Sequence, residues 1–343
     1  MSRTDRLLAD LESGFEALEE GQLDAAAAIV ERCRRVDRKN PDVVALAAAV
    51  ADASGNPEEA LAQYRTLVEL RPDDPMPRIC VARIELHDIG DPDVALETVE
   101  GAFAFIDEEA DLVEAIYVKT EALLARDDLG AARDALAELS SSIIDDGELA
   151  IDLGELALAA EDPAAALRWV EVAQRSAAED EDQSLRADAL HVLGRIHEFT
   201  NDRAAMIIAW QEARRLDLEA PAGRVEISED EVERIALATL AELPAKIREH
   251  LERVPILIHD VPAEALVADG LDPRLLGLFQ GSPMPEDGGL APTVTNILLF
   301  RKNLERSAVD AEHLANEVRI TVLHETAHYF GLDEADLEAL GLD

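Results

Sequence analysis

The sequence predicts a multidomain protein, in which an all-α N-terminal solenoid of helical repeats precedes a small α+β domain. Two observations lead to this prediction. A pattern of about 34 residues recurs along residues 1–222, and a different pattern of helices and strands begins near residue 225. The composition agrees, because 48% of the 343 residues are hydrophobic and only 3% are aromatic. Ala and Leu dominate, which favours helices packed through small side chains.

The repeat is clearest at the turns. A turn residue is followed five positions later by a small or slim residue, and this pair recurs at spacings of 34 to 40 residues. The stretches between the turns carry apolar residues at helical intervals. The turn residues are Gly21, Gly55, Gly90, Asp127, Glu161 and Asn201. The small or slim residues are Ala26, Ala60, Ala95, Ala132, Ala166 and Met206. We therefore expect paired helices that approach each other closely at the small residues.

This pattern resembles the tetratricopeptide repeat, with about six units of paired helices over residues 1–222. The resemblance implies a tetratricopeptide-like solenoid whose groove binds a protein or peptide partner. The alternative is that the repeats serve only as a packing spacer.

The net charge and the cysteine count restrict the partners and the compartment. A formal charge of −43 makes nucleic acid and anionic membranes unfavourable partners, because like charges repel. The acidic side chains could attract basic peptides, or they could serve only as a well-solvated surface. The two cysteines, Cys33 and Cys80, suit a reducing compartment, and no run approaches about 18 apolar residues. We expect a soluble cytoplasmic protein that binds neither nucleic acid nor membrane.

A linker rich in Ala, Pro and Gly at residues 219–223 divides the chain into predicted domains at 1–222 and 225–343. In the second domain, Ser228 and Glu231 form a capping box, which predicts a helix over 228–243. The remaining pattern predicts a short helix to 252, strands at 254–260 and 293–300, a loop over 280–292, and a helix over 311–330. Asp310 is the predicted N-cap of this last helix.

The predicted last helix carries His324, Glu325 and His328. Side chains four residues apart lie on the same helix face, so the two imidazoles can bind one cation, and zinc favours nitrogen ligands. Glu325 lies about 100° round the helix from His324, where it could accept a proton from a water molecule. This pattern predicts a catalytic zinc site.

A third protein ligand should come from the residues just after the motif. Gly331 could adopt a left-handed conformation and turn the chain back towards the metal. Glu334 is then the favoured ligand, Asp333 the near alternative and Asp336 a more distant one. His313 lies about 16 Å from the motif along a continuous helix, so it cannot bind the same ion.

The segments 275–281, 296–301 and 317–332 together resemble the minimal zincin family, small domains that include the zinicin-like metallopeptidases. The family motif reads HExxHxxGxxD, and its two metal-binding histidines and its glutamate correspond here to His324, His328 and Glu325. The last motif position supplies an acidic third ligand, and it corresponds here to Glu334, with Asp333 just before it. The resemblance implies a zinc-dependent peptidase domain.

By analogy with zincins, the strand at 293–300 would lie at the sheet edge beside the active-site helix, where an extended substrate could pair with it. The alternative is an ordinary internal strand with no free edge. His259, at the end of the other predicted strand, could assist catalysis or be a structural histidine. The function predicted from the sequence is peptide-bond hydrolysis with substrates recruited by the repeats. The alternative is an interaction scaffold with a catalytically silent metal domain.

Overall fold

The computed structural model describes residues 3–141, 143–220, 225–251, 254–281 and 296–330, and most of them are helical. The fold has the predicted layout of a helical-repeat solenoid followed by a region with a small sheet. None of the helices within these ranges is both long enough and apolar enough to cross a membrane.

The chain divides into two compact units, Met1–Val172 and Ala173–Asp343. This division places the last pair of repeat helices in the second unit. The domain limits 1–222 and 225–343 therefore stay a prediction based on the sequence pattern.

The first unit consists of helices that form pairs along the chain. They are α1 (Arg3–Glu19), α2 (Leu23–Asp37), α3 (Pro41–Ala53), α4 (Pro57–Leu70), α5 (Met76–His87), α6 (Pro92–Glu100), α7 (Glu109–Ala125), α8 (Leu129–Ala137) and α9 (Gly147–Ala159). Helix α10 (Pro163–Glu179) spans the limit between the units. Successive apolar clusters are each shared by neighbouring helices, which is how solenoids build a continuous core.

The six turn residues named above all have a left-handed backbone, which confirms the predicted turns. Their φ angles are 69° at Gly21, 67° at Gly55, 73° at Gly90, 59° at Asp127, 56° at Glu161 and 60° at Asn201. Glu181, with φ 55°, is a further turn that the repeat pattern did not predict.

The turn at Gly55 shows how one residue ends a helix and its neighbour begins the next. The Gly55 N–H donates to the Asp52 carbonyl and the Asn56 N–H to the Ala51 carbonyl, which satisfies the last carbonyls of α3. The Asn56 side chain then accepts from the Glu59 N–H and caps α4. The predicted small residues follow each turn and are fully or nearly fully buried: Ala26, Ala60, Ala95, Ala132, Ala166 and Met206.

The second unit combines the last repeat pair with an α/β region. Its elements are α11 (Gln183–Phe199), α12 (Arg203–Glu219), α13 (Glu229–Glu242), α14 (Ala245–Leu251), β1 (Ile256–His259), α15 (Glu264–Ala268), β2 (Gly277–Gln280), β3 (Asn296–Phe300), α16 (Arg301–Ser307) and α17 (Ala311–Tyr329). The predicted N-cap at Ser228 is confirmed, because its hydroxyl accepts from the Glu231 N–H, whereas the Glu231 carboxylate of the predicted capping box accepts from Arg234. Elements α15, β2 and α16 were not predicted. The predicted loop over 280–292 falls mostly outside the described residues.

The sheet has the strand order β1-β3-β2. Strand β3 pairs in parallel with β1, with Ile256 opposite Ile297, and antiparallel with β2, with Phe279 opposite Ile297. The prediction that β3 lies at the sheet edge is therefore wrong, because both of its sides are hydrogen-bonded to other strands. The edge strand on the β2 side was missed in the sequence.

One face of the sheet carries the core of the second unit. Ile297 and Leu299 of β3 are fully buried against Val318 and Val322 of α17 and against α13. Because side chains alternate along a strand, Leu298 and Phe300 lie on the opposite face. The core thus fixes α17 against one face of the sheet.

A partly buried ion cluster joins α11 and α12 to the rest of the second unit. We call it the Asp217 cluster, and it consists of Asp188, Asp217, Arg274 and Arg306. The Asp217 carboxylate accepts from Arg274 Nε at 3.0 Å and from Arg306 at 2.6 Å, and its side chain is 2% exposed. Arg274 also pairs with Asp188 at 2.7 Å. These contacts connect residues 57 and 89 positions apart in the sequence.

Candidate metal centre

The predicted metal motif, which consists of His324, Glu325 and His328, lies in the last turns of α17. The Asp310 side chain accepts from the His313 N–H and caps the start of the helix, as predicted. The helix then continues to Tyr329. Val318 and Val322 are fully buried against the sheet, which fixes the rotation of the helix and so the direction of the motif side chains.

The two motif histidines converge at one point. His324 Nε2 and His328 Nε2 lie 3.0 Å apart, and both rings are half-buried. The ring centroids are 4.7 Å apart and the ring planes cross at 78°. Two nitrogens bound tetrahedrally to one zinc ion at about 2.05 Å lie about 3.3 Å apart. The observed separation is close to this value, so the pair fits a zinc ion.

The predicted third ligands, Glu334 with Asp333 and Asp336 as alternatives, lie outside the described residues, as does Gly331. Within the described ranges, no group of three or more His, Cys, Asp or Glu side chains is arranged to hold a metal. The identity of the third ligand therefore stays a prediction.

Glu325 lies on the side of α17 that faces strand β2. Its side chain is buried, at 7% exposure, and Oε2 accepts from the Phe279 backbone N–H at 2.5 Å. This contact orients the Glu325 carboxylate.

Gly277 allows this close contact between α17 and β2. A Cβ atom at Gly277 would lie 2.6 Å from Thr321 Cγ2 and 2.9 Å from Glu325 Cγ. Only a residue without a side chain fits there. No local sequence pattern marks Gly277 or Phe279 as site residues, because their role depends on a contact 46 residues away along the chain.

The other histidines considered in the sequence do not join the motif. His313 lies at the start of α17, where Nδ1 accepts from the Val309 N–H at 3.3 Å and Nε2 pairs with Glu317. His259 is exposed on the sheet face opposite α17. A role for His259 in catalysis at the motif therefore has no geometric support.

Comparison with family models identifies both regions of the chain. Residues 251–342 match the model described as zincin-like metallopeptidase, and residues 17–84 match the tetratricopeptide repeat. The chain thus has a zincin-like C-terminal region preceded by tetratricopeptide repeats. None of the curated proteins matches the chain.

Solved structures share the helical-repeat fold. The chain is similar to PilW, described as a widely conserved type IV pilus biogenesis factor, with a TM-score of 0.52 and 15% identity over 61% of this chain and 92% of that chain. It is also similar to PilF of Pseudomonas aeruginosa, with a TM-score of 0.49 and 14% identity over 64% and 95% of the two chains. At this identity, the likeness to PilW shows the fold alone.

Proposed function

We propose that this protein is a zinc-dependent metallopeptidase that hydrolyses peptide bonds in a protein or peptide recruited by its helical repeats. The observation that carries the proposal is the convergence of His324 Nε2 and His328 Nε2 at 3.0 Å on the helix that also presents Glu325. The match of residues 251–342 to the zincin-like metallopeptidase model supports the same conclusion.

His324 and His328 would hold the zinc ion together with Glu334, or with Asp333 in its place. When bound, zinc polarises a peptide carbonyl and acidifies a water molecule. Glu325 would accept the proton of the attacking water and deliver it to the leaving amine. A site that only stabilises the fold does not need a carboxylate in this position, so the presence of Glu325 favours an enzyme.

The experiment that tests the proposal compares the wild type with Glu325→Gln. Both proteins are analysed for zinc by mass spectrometry and for cleavage of casein and a peptide library. We expect equal zinc in both proteins and cleavage by the wild type alone, because Gln keeps the shape of the side chain but cannot accept the proton. Equal cleavage by both proteins, or a wild type without zinc, would contradict the proposal.

The alternative function is an interaction scaffold whose metal domain is catalytically silent. The tetratricopeptide repeats favour it, because such repeats commonly bind other proteins. In the experiment above, zinc bound by both proteins with cleavage by neither would select this alternative.

Replacing Gly277 with alanine should lower peptidase activity about tenfold or more, with zinc retained. The added Cβ would push β2 away from α17 and break the bond from the Phe279 N–H to Glu325, and a shift of about 1 Å at a catalytic group can reduce the rate by about 100-fold. The matched control is Gly130→Ala on α8, where the nearest atom lies 3.9 Å from the new Cβ. Equal activity of Gly277→Ala and the control would rule out this positioning role.

The first unit offers a groove for the recruited partner. A cavity of about 390 Å³ lies between α5, α7 and α9, and its lining includes His87, Glu121 and Leu156. The lining residue Glu121 lies close enough to Tyr117 and Asp152 to act on both, and Glu155 acts on the same two residues. Partial burial, together with these carboxylates, raises the pKa of Asp152. The same effects raise the pKa of Tyr117 to about 12. This accumulation of negative charge favours a basic peptide as the partner.

Asp152→Asn should stabilise the protein at neutral pH and not at low pH. The folded-state pKa of Asp152 is raised above its unfolded value, so its ionised form destabilises the fold as pH rises through the folded pKa. We expect a melting temperature higher by about 1–2 °C at pH 7, the size typical of an exposed position, and no difference at about pH 3. Thermal melts monitored by circular dichroism at both pH values measure this. Asp134→Asn, on the exposed side of α8, is the control and should give a smaller gain; an equal gain would contradict the prediction.

A further inference from the structure

A cavity of about 580 Å³ lies on the sheet face opposite α17, between the sheet, α12 and α15. Its lining includes Arg214 and Leu218 of α12, Leu257 and His259 of β1, and Leu298 and Phe300 of β3, with Gln280 of β2 at the same face. We call it the second-face cavity. Its volume lies within the range of about 300–1,000 Å³ that is usual for small-molecule sites.

The floor of the second-face cavity is apolar. Phe300 is fully buried and Leu298 is 6% exposed, so both form a fixed surface. Leu257, beside them on β1, is 41% exposed although it lies within the sheet. Covering such an exposed apolar side chain with an apolar ligand lowers the free energy, because apolar surface is removed from water.

The wall of the cavity carries a guanidinium, although the whole chain has a formal charge of −43. Arg214 Nε donates to the Pro262 carbonyl at 2.6 Å, which anchors the guanidinium at the cavity. Lys302 donates to the carbonyl of Leu218, a lining residue, at 3.0 Å.

The acidic lining residue, Asp260, pairs with a cation other than Arg214. The Asp260 carboxylate accepts from Arg301 Nε at 3.1 Å, and Arg301 also pairs with Glu305 at 2.7 Å. Arg214 is thus the cation that lines the cavity, with Lys302 beside the lining, and a guanidinium suits the paired oxygens of a carboxylate.

We propose that the second-face cavity binds a small molecule that joins an apolar body to a carboxylate. Its carboxylate would pair with the guanidinium of Arg214, and its apolar body would cover Leu257 and Leu298. Both an acyl chain and the C-terminal end of a hydrophobic peptide have this chemistry. The site is separated by the sheet from the metal motif, so the proposal does not depend on peptidase activity.

Isothermal titration of the full chain with decanoate, decanol and N-acetyl-leucyl-leucine tests the proposal. We expect decanoate or the dipeptide to bind, and Arg214→Gln to weaken that binding about tenfold or more, because a charged hydrogen bond is lost. Decanol should bind the wild type and Arg214→Gln equally. Tighter binding of decanoate identifies an acyl chain as the ligand, and tighter binding of the dipeptide identifies a peptide end.

Leu257→Asp tests the same site without touching Arg214, since it places a negative charge on the floor and should weaken binding of the carboxylate about tenfold or more. The matched controls are Arg234→Gln and Leu237→Asp, both on exposed positions of α13. We expect the controls to bind like the wild type. The proposal is wrong if neither carboxylate binds at millimolar concentration, or if Arg214→Gln and Leu257→Asp both bind like their controls.

Discussion

Asp217→Ala is expected to destabilise the second unit by about 3–5 kcal/mol, the cost typical of removing one partner from a buried ion pair. The Asp217 side chain is 2% exposed and holds Arg274 and Arg306 together. Burial and the neighbouring Arg274 already lower the pKa of Arg306. Without Asp217, two guanidiniums would remain close together, with the half-exposed Asp188 as the shared anion.

Urea and thermal unfolding of the full chain carrying Trp169→Phe measure this effect, with the fluorescence of Trp210, then the remaining tryptophan, as the probe. Trp210 lies on α12 and is 1% exposed, so it reports on the second unit. A loss of this size should lower the melting temperature by about 6–20 °C for a unit of this length. Glu212→Ala is the control on the same helix, because Glu212 forms an exposed pair with Arg215, and exposed ion pairs contribute little to stability. If the two variants have the same melting temperature, the Asp217 cluster does not stabilise the fold.

His328→Ala is expected to remove zinc binding and peptidase activity together. His328 supplies one of the two nitrogens that lie 3.0 Å apart, and a single imidazole on α17 would be left. Loss of residues that merely support a ligand already weakens metal binding about 10–100-fold, so loss of a ligand should weaken it by at least about 100-fold. Zinc content after dialysis against a weak chelator, measured by mass spectrometry, tests the prediction.

His313→Ala provides the matched control for this experiment. His313 lies on the same helix but pairs with Glu317 and the Val309 N–H, away from the motif. The control should keep its zinc and its activity. If His328→Ala retains zinc at the wild-type level, the ion binds elsewhere in the protein and the prediction is wrong.

The parts of the structure that depend on neighbours in sequence were predictable. The left-handed turn at Gly55 and the cap at Asn56 need only residues within five positions of each other. The same is true of the cap at Ser228 and of the pair His324 and His328, whose convergence follows from helix geometry.

The parts that depend on distant residues were not predictable. Strand β2 has only four residues. Its role is to orient Glu325 through the hydrogen bond from the Phe279 N–H, which joins residues far apart in the sequence. The strand order places β3 in the centre, which the apolar run at β3 could not indicate, because edge and central strands can share that pattern. The Asp217 cluster is a set of long-range contacts between ordinary charged residues, and no spacing marks them.

The Asp217 cluster attaches the helices α11 and α12 to the zincin-like region. His191 of α11 pairs with Asp272 at 2.9 Å, and Arg214 of α12 donates to the Pro262 carbonyl, so both helices are attached at several points. Exchange of upstream repeats for foreign ones could therefore alter the recruited partner while the α/β region keeps its support. A graft joined at residue 222 would instead discard that support, so a successful chimera should retain the native chain from residue 173 onwards.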